Sequence, residues 1–191
     1  MESPPPKPPP AHGVPENIYL VGLMGAGKTA VGRALAKHLG KEFFDTDQEI
    51  ERATGVRIPL IFDIEGEAGF RARESKVLGE LTQHANTVLA TGGGAVLSEH
   101  NRRLLTRRGT VVYLRATVAD LAKRTRNDRN RPLLSVPDPL VVLQRLHEER
   151  DQLYREVADL VIETGSQSIA VLVRKLTGQL ATLRRSTAAS T

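Results

Sequence analysis

The residues Gly22-Leu-Met-Gly-Ala-Gly27-Lys28-Thr29 carry the most explicit chemistry in the chain. Their spacing, G-x-x-x-x-G-K-[ST], is that of a Walker A phosphate cradle. Its glycines let a loop curl so that successive backbone N–H groups point inward at a polyphosphate. A helix starting at its end adds the positive end of its dipole. Lys28 is placed to reach the β- and γ-phosphates, and the Thr29 hydroxyl to ligate Mg²⁺. The flanks fit this reading. Ile18-Tyr-Leu-Val21 reads as a buried strand, while Val31, Leu35 and Leu39 recur at helical spacing before Gly40, a suitable C-terminal cap.

A second set of residues supplies what a phosphate site lacks. In Phe43-Phe44-Asp45-Thr46-Asp47 two carboxylates stand at i and i+2, and on an extended segment these project to one side. Asp45 or Thr46 could cap the next helix, but a cap needs one acid, not two. An Asp here can hold a Mg²⁺-bound water or accept a proton from an attacking hydroxyl. Farther on, Gly92-Gly93-Gly94 would weaken any regular element and suits a backbone surface laid against a ligand. Arg71 follows Phe70 early in a helix expected from near Gly66. Arg150 shares an apolar helical stripe with Leu143, Leu146, Leu153 and Tyr154, so it must reach out to water or meet an anion. Arg131 lies in Arg126-Asn-Asp-Arg-Asn-Arg-Pro-Leu-Leu134, a basic segment without periodicity that reads as a mobile lid, about 126–137. With a phosphate cradle, three such arginines suggest two anions: a phosphate chain and a carboxylate gripped by guanidinium forks.

Elements must position these groups. Strands are expected at about 17–22, 41–45, 87–91, 110–115 and 159–163. Helices are expected near 28–39, 46–54, 66–84, 98–107, 117–125, 138–154 and 167–183. This alternation implies an α/β, doubly wound parallel sheet in three layers, with ligands beyond the carboxyl ends of its strands. The chemistry-bearing residues stand just after the expected strands, as that rule requires. Residues 1–15 form a Pro-rich leader expected to be disordered and to bury nothing, and 184–191 a frayed polar tail. A single domain spans 16–183.

Composition narrows the classes. A chain of 191 residues suits one α/β domain. It has no Cys, so disulfide and thiol chemistry drop out. No apolar run approaches the roughly 20 residues of a membrane helix, and the leader lacks the apolar centre of a signal peptide. A soluble, cytoplasmic protein without a membrane partner is expected. The net charge of +5 raises nucleic acid as a partner, but with four Phe, three Tyr and no Trp the chain is poor in stacking groups. Arginine pairs such as Arg102-Arg103 and Arg107-Arg108 read as solvated faces. No nucleic-acid role is expected.

In order and spacing, these pieces resemble the shikimate kinase family over almost all of residues 16–180. The matching pieces are Gly22–Thr29, Phe44-Asp45-Thr46-Asp47, Gly69-Phe70-Arg71, Gly92-Gly93-Gly94, Arg131-Pro132-Leu133-Leu134 and Leu153-Tyr154-Arg155. The resemblance implies a P-loop, nucleoside-monophosphate-kinase-like fold with a five-stranded parallel sheet in the order 2-3-1-4-5. It implies ATP-dependent phosphorylation of the 3-hydroxyl of shikimate on the route to chorismate, with ATP and shikimate as partners of a monomer. Residue by residue, Gly25, Ala26, Gly27, Lys28, Thr29 and Ala30 hold ATP, and Thr29 and Asp45 serve Mg²⁺. Asp47 bonds the shikimate hydroxyls and is the candidate base. Arg71 and Arg150 clamp the carboxylate, and Gly92, Gly93 and Gly94 line the ring. Lys28, Asp47 and Arg131 form the catalytic set, Arg131 swinging in with the lid. Arg124 flanks adenine. Where relatives often carry an Arg in the adenine loop, this chain has Gly165-Ser166-Gln167, which makes Gln167 the candidate contact.

Two rival readings stay open on sequence alone. One is another small-molecule kinase of the same fold, acting on gluconate or a nucleoside monophosphate. The Asp-Thr-Asp segment with two carboxylate-directed arginines favours an acidic polyol instead. The other is a non-catalytic P-loop regulator, against which stand intact Lys28, Thr29, Asp47 and Arg131.

Overall fold

The computed structural model describes residues 14–126, 132–134 and 136–188. Five strands form one parallel sheet: β1 (Ile18–Val21), β2 (Glu42–Asp45), β3 (Thr87–Ala90), β4 (Thr110–Arg115) and β5 (Leu160–Glu163). Their order is β2-β3-β1-β4-β5, the expected 2-3-1-4-5. Every residue of β1 and β3 is buried, as a strand covered on both faces demands, whereas the edge strands β2 and β5 include exposed and half-buried positions.

The helices are α1 (Lys28–Leu39), α2 (Thr46–Thr54), α3 (Ile58–Leu81), α4 (Glu99–Arg108), α5 (Val118–Thr125), α6 (Pro139–Val157) and α7 (Ile169–Ala188). Helices α1 and α7 pack together, and α3, α4 and α6 form a second group against the sheet. Local signals set several ends. Gly40 closes α1 in the left-handed region at φ 64°. Asp138 caps α6, whose first turn holds Pro139.

Three features differ from expectation. Helix α3 begins at Ile58, not near Gly66, because Pro59 suits a first helical turn. Gly66 instead breaks the helix, with φ 68° and ψ −177°. Arg73 then spans the break, its Nε and Nη2 donating to Glu65 at 2.8 and 2.6 Å. Helix α7 runs on to Ala188, past the boundary drawn at 183. Val14, assigned to the leader, is buried in the main core at 5 % exposure. Most of the leader and half of the lid, including Arg131, lie outside the described residues. Pro132–Leu134 forms a short 3-10 turn. Among the described residues no helix is long and apolar enough to cross a membrane.

Candidate active site

The phosphate cradle follows from its backbone. Gly22, Gly25 and Gly27 have φ of 140°, 79° and 95°, angles that L side chains rarely adopt. A Cβ at Gly22 would also stand 2.5 Å from the Leu114 carbonyl oxygen. The loop wraps the start of α1, so Lys28 Nζ donates to the carbonyls of Gly22 (2.7 Å) and Leu23 (2.9 Å). Ala26 faces inward at 1 % exposure and belongs to the core, its amide donating to Leu23 O.

Beside the cradle, Thr29 Oγ1 donates to Asp45 Oδ2 at 2.6 Å. The other oxygen of Asp45 accepts the amides of Asp47 (3.1 Å) and Gln48 (3.3 Å), which makes Asp45 the N-cap of α2. The chain therefore turns into a helix at Thr46. Asp47 sits in its first turn, not on an extended segment as the i, i+2 argument assumed. Both acids nevertheless line one cleft of about 500 Å³ with Gly25, Lys28, Thr29 and Ala30. Arg124 borders the same cleft. Its guanidinium donates to Gly25 O (3.3 Å) and Gly165 O (2.7 Å), tying the cradle to the loop after β5. Gln167 is exposed on that loop and does not line the cleft.

A narrow recess of about 50 Å³ adjoins the cleft, sharing Asp47, Ile58 and Gly93 with it. Its walls bring together Arg71 from α3, Arg150 from α6 and Gly92, Gly93 and Gly94 from the loop after β3. Arg71 lies 5.2 Å over the Phe70 ring, its Nη1 donating to Glu74 (2.8 Å) and its Nη2 to Glu67 (2.9 Å). Burial pulls the Arg71 guanidinium down in pKa, but the two glutamates outweigh it and leave it raised. Glu74 is fully buried. Burial pushes its carboxyl up, a shift that Arg71 offsets in part. Arg150, at 3 % exposure, does not snorkel out; its Nη1 donates to Gly93 O at 3.3 Å.

Two of the three glycines, Gly92 and Gly94, are required by neighbouring side chains. A Cβ at Gly92 would stand 2.1 Å from Glu74 Oε1 and 3.0 Å from Asp47 Oδ1, and one at Gly94 would stand 2.2 Å from Arg71 Cζ. The Gly92 amide donates to Thr46 Oγ1 at 2.7 Å. Sequence reasoning missed Glu74 and Thr46. Glu74 carried a signal, since it stands one helical turn after Arg71. Thr46 stood between the two acids but was weighed only as a cap.

Comparison with known proteins agrees with this geometry. The shikimate kinase family model matches residues 24–181. The shikimate kinase of Thiobacillus denitrificans is 58% identical over 169 residues, which cover 88% of this chain and 92% of that one. The solved structure of the shikimate kinase from Acinetobacter baumannii in complex with shikimate matches with a TM-score of 0.86 at 53% identity, covering 87% of this chain and 93% of that one. A gluconokinase from Sinorhizobium meliloti 1021 shares the fold alone, with a TM-score of 0.57 at 17% identity over 92% of this chain and 97% of that one. Likeness to the shikimate kinases extends over nearly the whole domain at identities far above those that accompany a shared fold, and the protein belongs to the shikimate kinase family.

Proposed function

We propose that the cleft transfers the γ-phosphoryl group of ATP to the 3-hydroxyl of shikimate, giving shikimate 3-phosphate and ADP. One observation carries this reading: Asp47 borders both the phosphate cradle and the arginine-lined recess. An acceptor whose carboxylate meets Arg71 and Arg150 thereby presents its hydroxyls to Asp47 and, beyond it, to the γ-phosphate. The hydroxyl oxygen bonds to the γ-phosphorus as the bond to the bridging β,γ-oxygen breaks, and the hydroxyl proton passes to the Asp47 carboxylate. Lys28 holds the β- and γ-phosphates in line, and Arg131 closes over them from the lid. The protein's contribution is positioning and charge. Arg71 and Arg150 orient the acceptor, and closure keeps water from taking the phosphoryl group.

Thr29 Oγ1 and Asp45 Oδ2, 2.6 Å apart beside the cradle, fit a hard cation that keeps waters and phosphate oxygens as further ligands. When bound, Mg²⁺ supplies charge neutralisation on the β- and γ-phosphates. At the base end, Arg124 is proposed to flank adenine, with Gln167 nearby. The enzyme is proposed to act as a monomer in the cytoplasm.

The test is ADP release with shikimate, gluconate and nucleoside monophosphates offered separately, with the product identified by mass. Release that depends on shikimate is expected. A comparable rate with another acceptor would overturn the substrate, and tight ATP binding with no acceptor phosphorylated would overturn catalysis. Arg131→Ala should lower turnover by about 100-fold or more while ATP affinity holds; unchanged turnover removes it from the mechanism.

A further inference from the structure

Helix α6 holds the glycine loop at Gly93, as α2 holds it at Gly92. The Tyr154 hydroxyl donates to the Gly93 carbonyl oxygen, to which Arg150 Nη1 also donates at 3.3 Å. Two donors engage both lone pairs of that carbonyl. Because a peptide unit is planar and trans, fixing its C=O also fixes the direction of the Gly94 N–H. Tyr154 is fully buried, and its ring stacks on Tyr113 with centroids 4.9 Å apart. Burial pushes its hydroxyl far above the usual tyrosine pKa, with Arg150 acting in the opposite sense, so the group stays a proton donor at physiological pH. At the loop's other end the Gly92 amide donates to Thr46 Oγ1 at 2.7 Å. The loop is thus strung between a hydroxyl from α2 and one from α6.

We propose that Tyr154 is a positioning residue for the acceptor: its hydroxyl sets the Gly93–Gly94 peptide and the seat of Arg150 beside it. The inference rests on the acceptor assignment above. With Tyr154 bonded to Gly93 O, the carbonyl draws a single long bond from Arg150, and the remaining guanidinium donors stay available to a carboxylate. Without the hydroxyl, that carbonyl either turns or takes Arg150 for itself. Both outcomes weaken acceptor binding.

Tyr154→Phe removes the oxygen and keeps the ring stack. Tyr113→Phe is the matched control, because it removes another buried hydroxyl from the same stack, one bonded to Asp151 Oδ1 at 2.8 Å and not to the loop. Tyr154→Phe should raise the KM for shikimate about 5- to 10-fold, the scale of one lost hydrogen bond. The KM for ATP should stay within about twofold, and Tyr113→Phe should move neither constant. An unchanged shikimate KM, a parallel rise for ATP, or an equal effect in Tyr113→Phe would each overturn the proposal. A readout free of turnover separates this inference from the one beneath it. In protein labelled with ¹⁵N-glycine, Tyr154→Phe should shift the Gly94 amide resonance and Tyr113→Phe should leave it in place. A stationary Gly94 resonance sinks the positioning role, whereas a wild-type protein inactive on shikimate sinks the acceptor assignment.

Discussion

In the phosphate cradle the glycines, Lys28 and Thr29 come from one stretch, Gly22–Thr29, and Lys28 is held by the loop's own carbonyls. In the acceptor recess the groups come from α2, α3, the loop after β3 and α6, and an ion pair to the buried Glu74 holds one of its two arginines. The cradle is a local object and the recess an assembled one. A local object tolerates changes elsewhere in the fold, because its partners lie within a few residues along the chain. An assembled one depends on the packing of several elements, and on charges taken out of water, which are costly to leave unpaired.

That contrast can be broken or sharpened by substitution. The largest effect is expected for Lys28→Ala, which should lower turnover about 10²- to 10³-fold while shikimate affinity, measured by calorimetry, holds. Loss of shikimate affinity in that variant would mean that the two regions are not separable. Arg150→Ala should do the reverse, raising the shikimate KM about 100-fold with little change for ATP, because a buried charged donor is lost from the recess. A normal KM would remove Arg150 from the carboxylate clamp. Glu74→Gln leaves Arg71 in place but weakens its anchor, and a rise in shikimate KM of about tenfold is expected. Steady-state kinetics with each substrate varied in turn reads this directly, and a larger effect on the KM for ATP would contradict the division.

The smallest effect concerns stability outside both regions. Asp151 accepts hydrogen bonds from Tyr113 (2.8 Å) and Arg155 (2.6 Å). Burial raises its carboxyl, but those bonds and the charges of Arg155 and Arg115 outweigh it and hold the pKa below the unfolded value of 3.8. The native pKa being the lower one, its stabilisation is full above the unfolded value and is lost as pH falls through the native one. Asp151→Asn should therefore cost about 0.5–1 kcal/mol at pH 6 and much less well below pH 3.8, by urea unfolding. Neither KM should move.

Legibility in the sequence divides along the same line. The cradle could be read directly, because loop, strand and helix signals lie within about twenty residues and each has a local physical cause. The strand alternation and the parallel sheet were legible for the same reason, and the strand order followed from the family resemblance. Arg150 and the glycines were legible as candidates through their misfit, a charge in an apolar stripe and glycines where an element would otherwise continue, and Arg71 through its place after Phe70 early in a helix. Glu74 escaped because a lone glutamate on a helix looks solvated until its burial is known. Asp47 was placed on an extended segment because nothing local decided whether Asp45 would cap or coordinate; in the fold the Asp45 carboxylate accepts from both the Thr29 hydroxyl and the α2 amides.

By itself the sequence determined a P-loop motif, a parallel α/β sheet to hold it, and a set of acids and arginines more numerous than local structure needs. The tertiary structure decided which of these groups meet. The break of α3 at Gly66, the burial of Glu74 against Arg71, and the grip of Tyr154 on a carbonyl 61 residues earlier depend on how helices pack across the sheet. Short-range backbone preferences are written in adjacent residues. Contacts between distant segments exist only once the core has set those segments side by side.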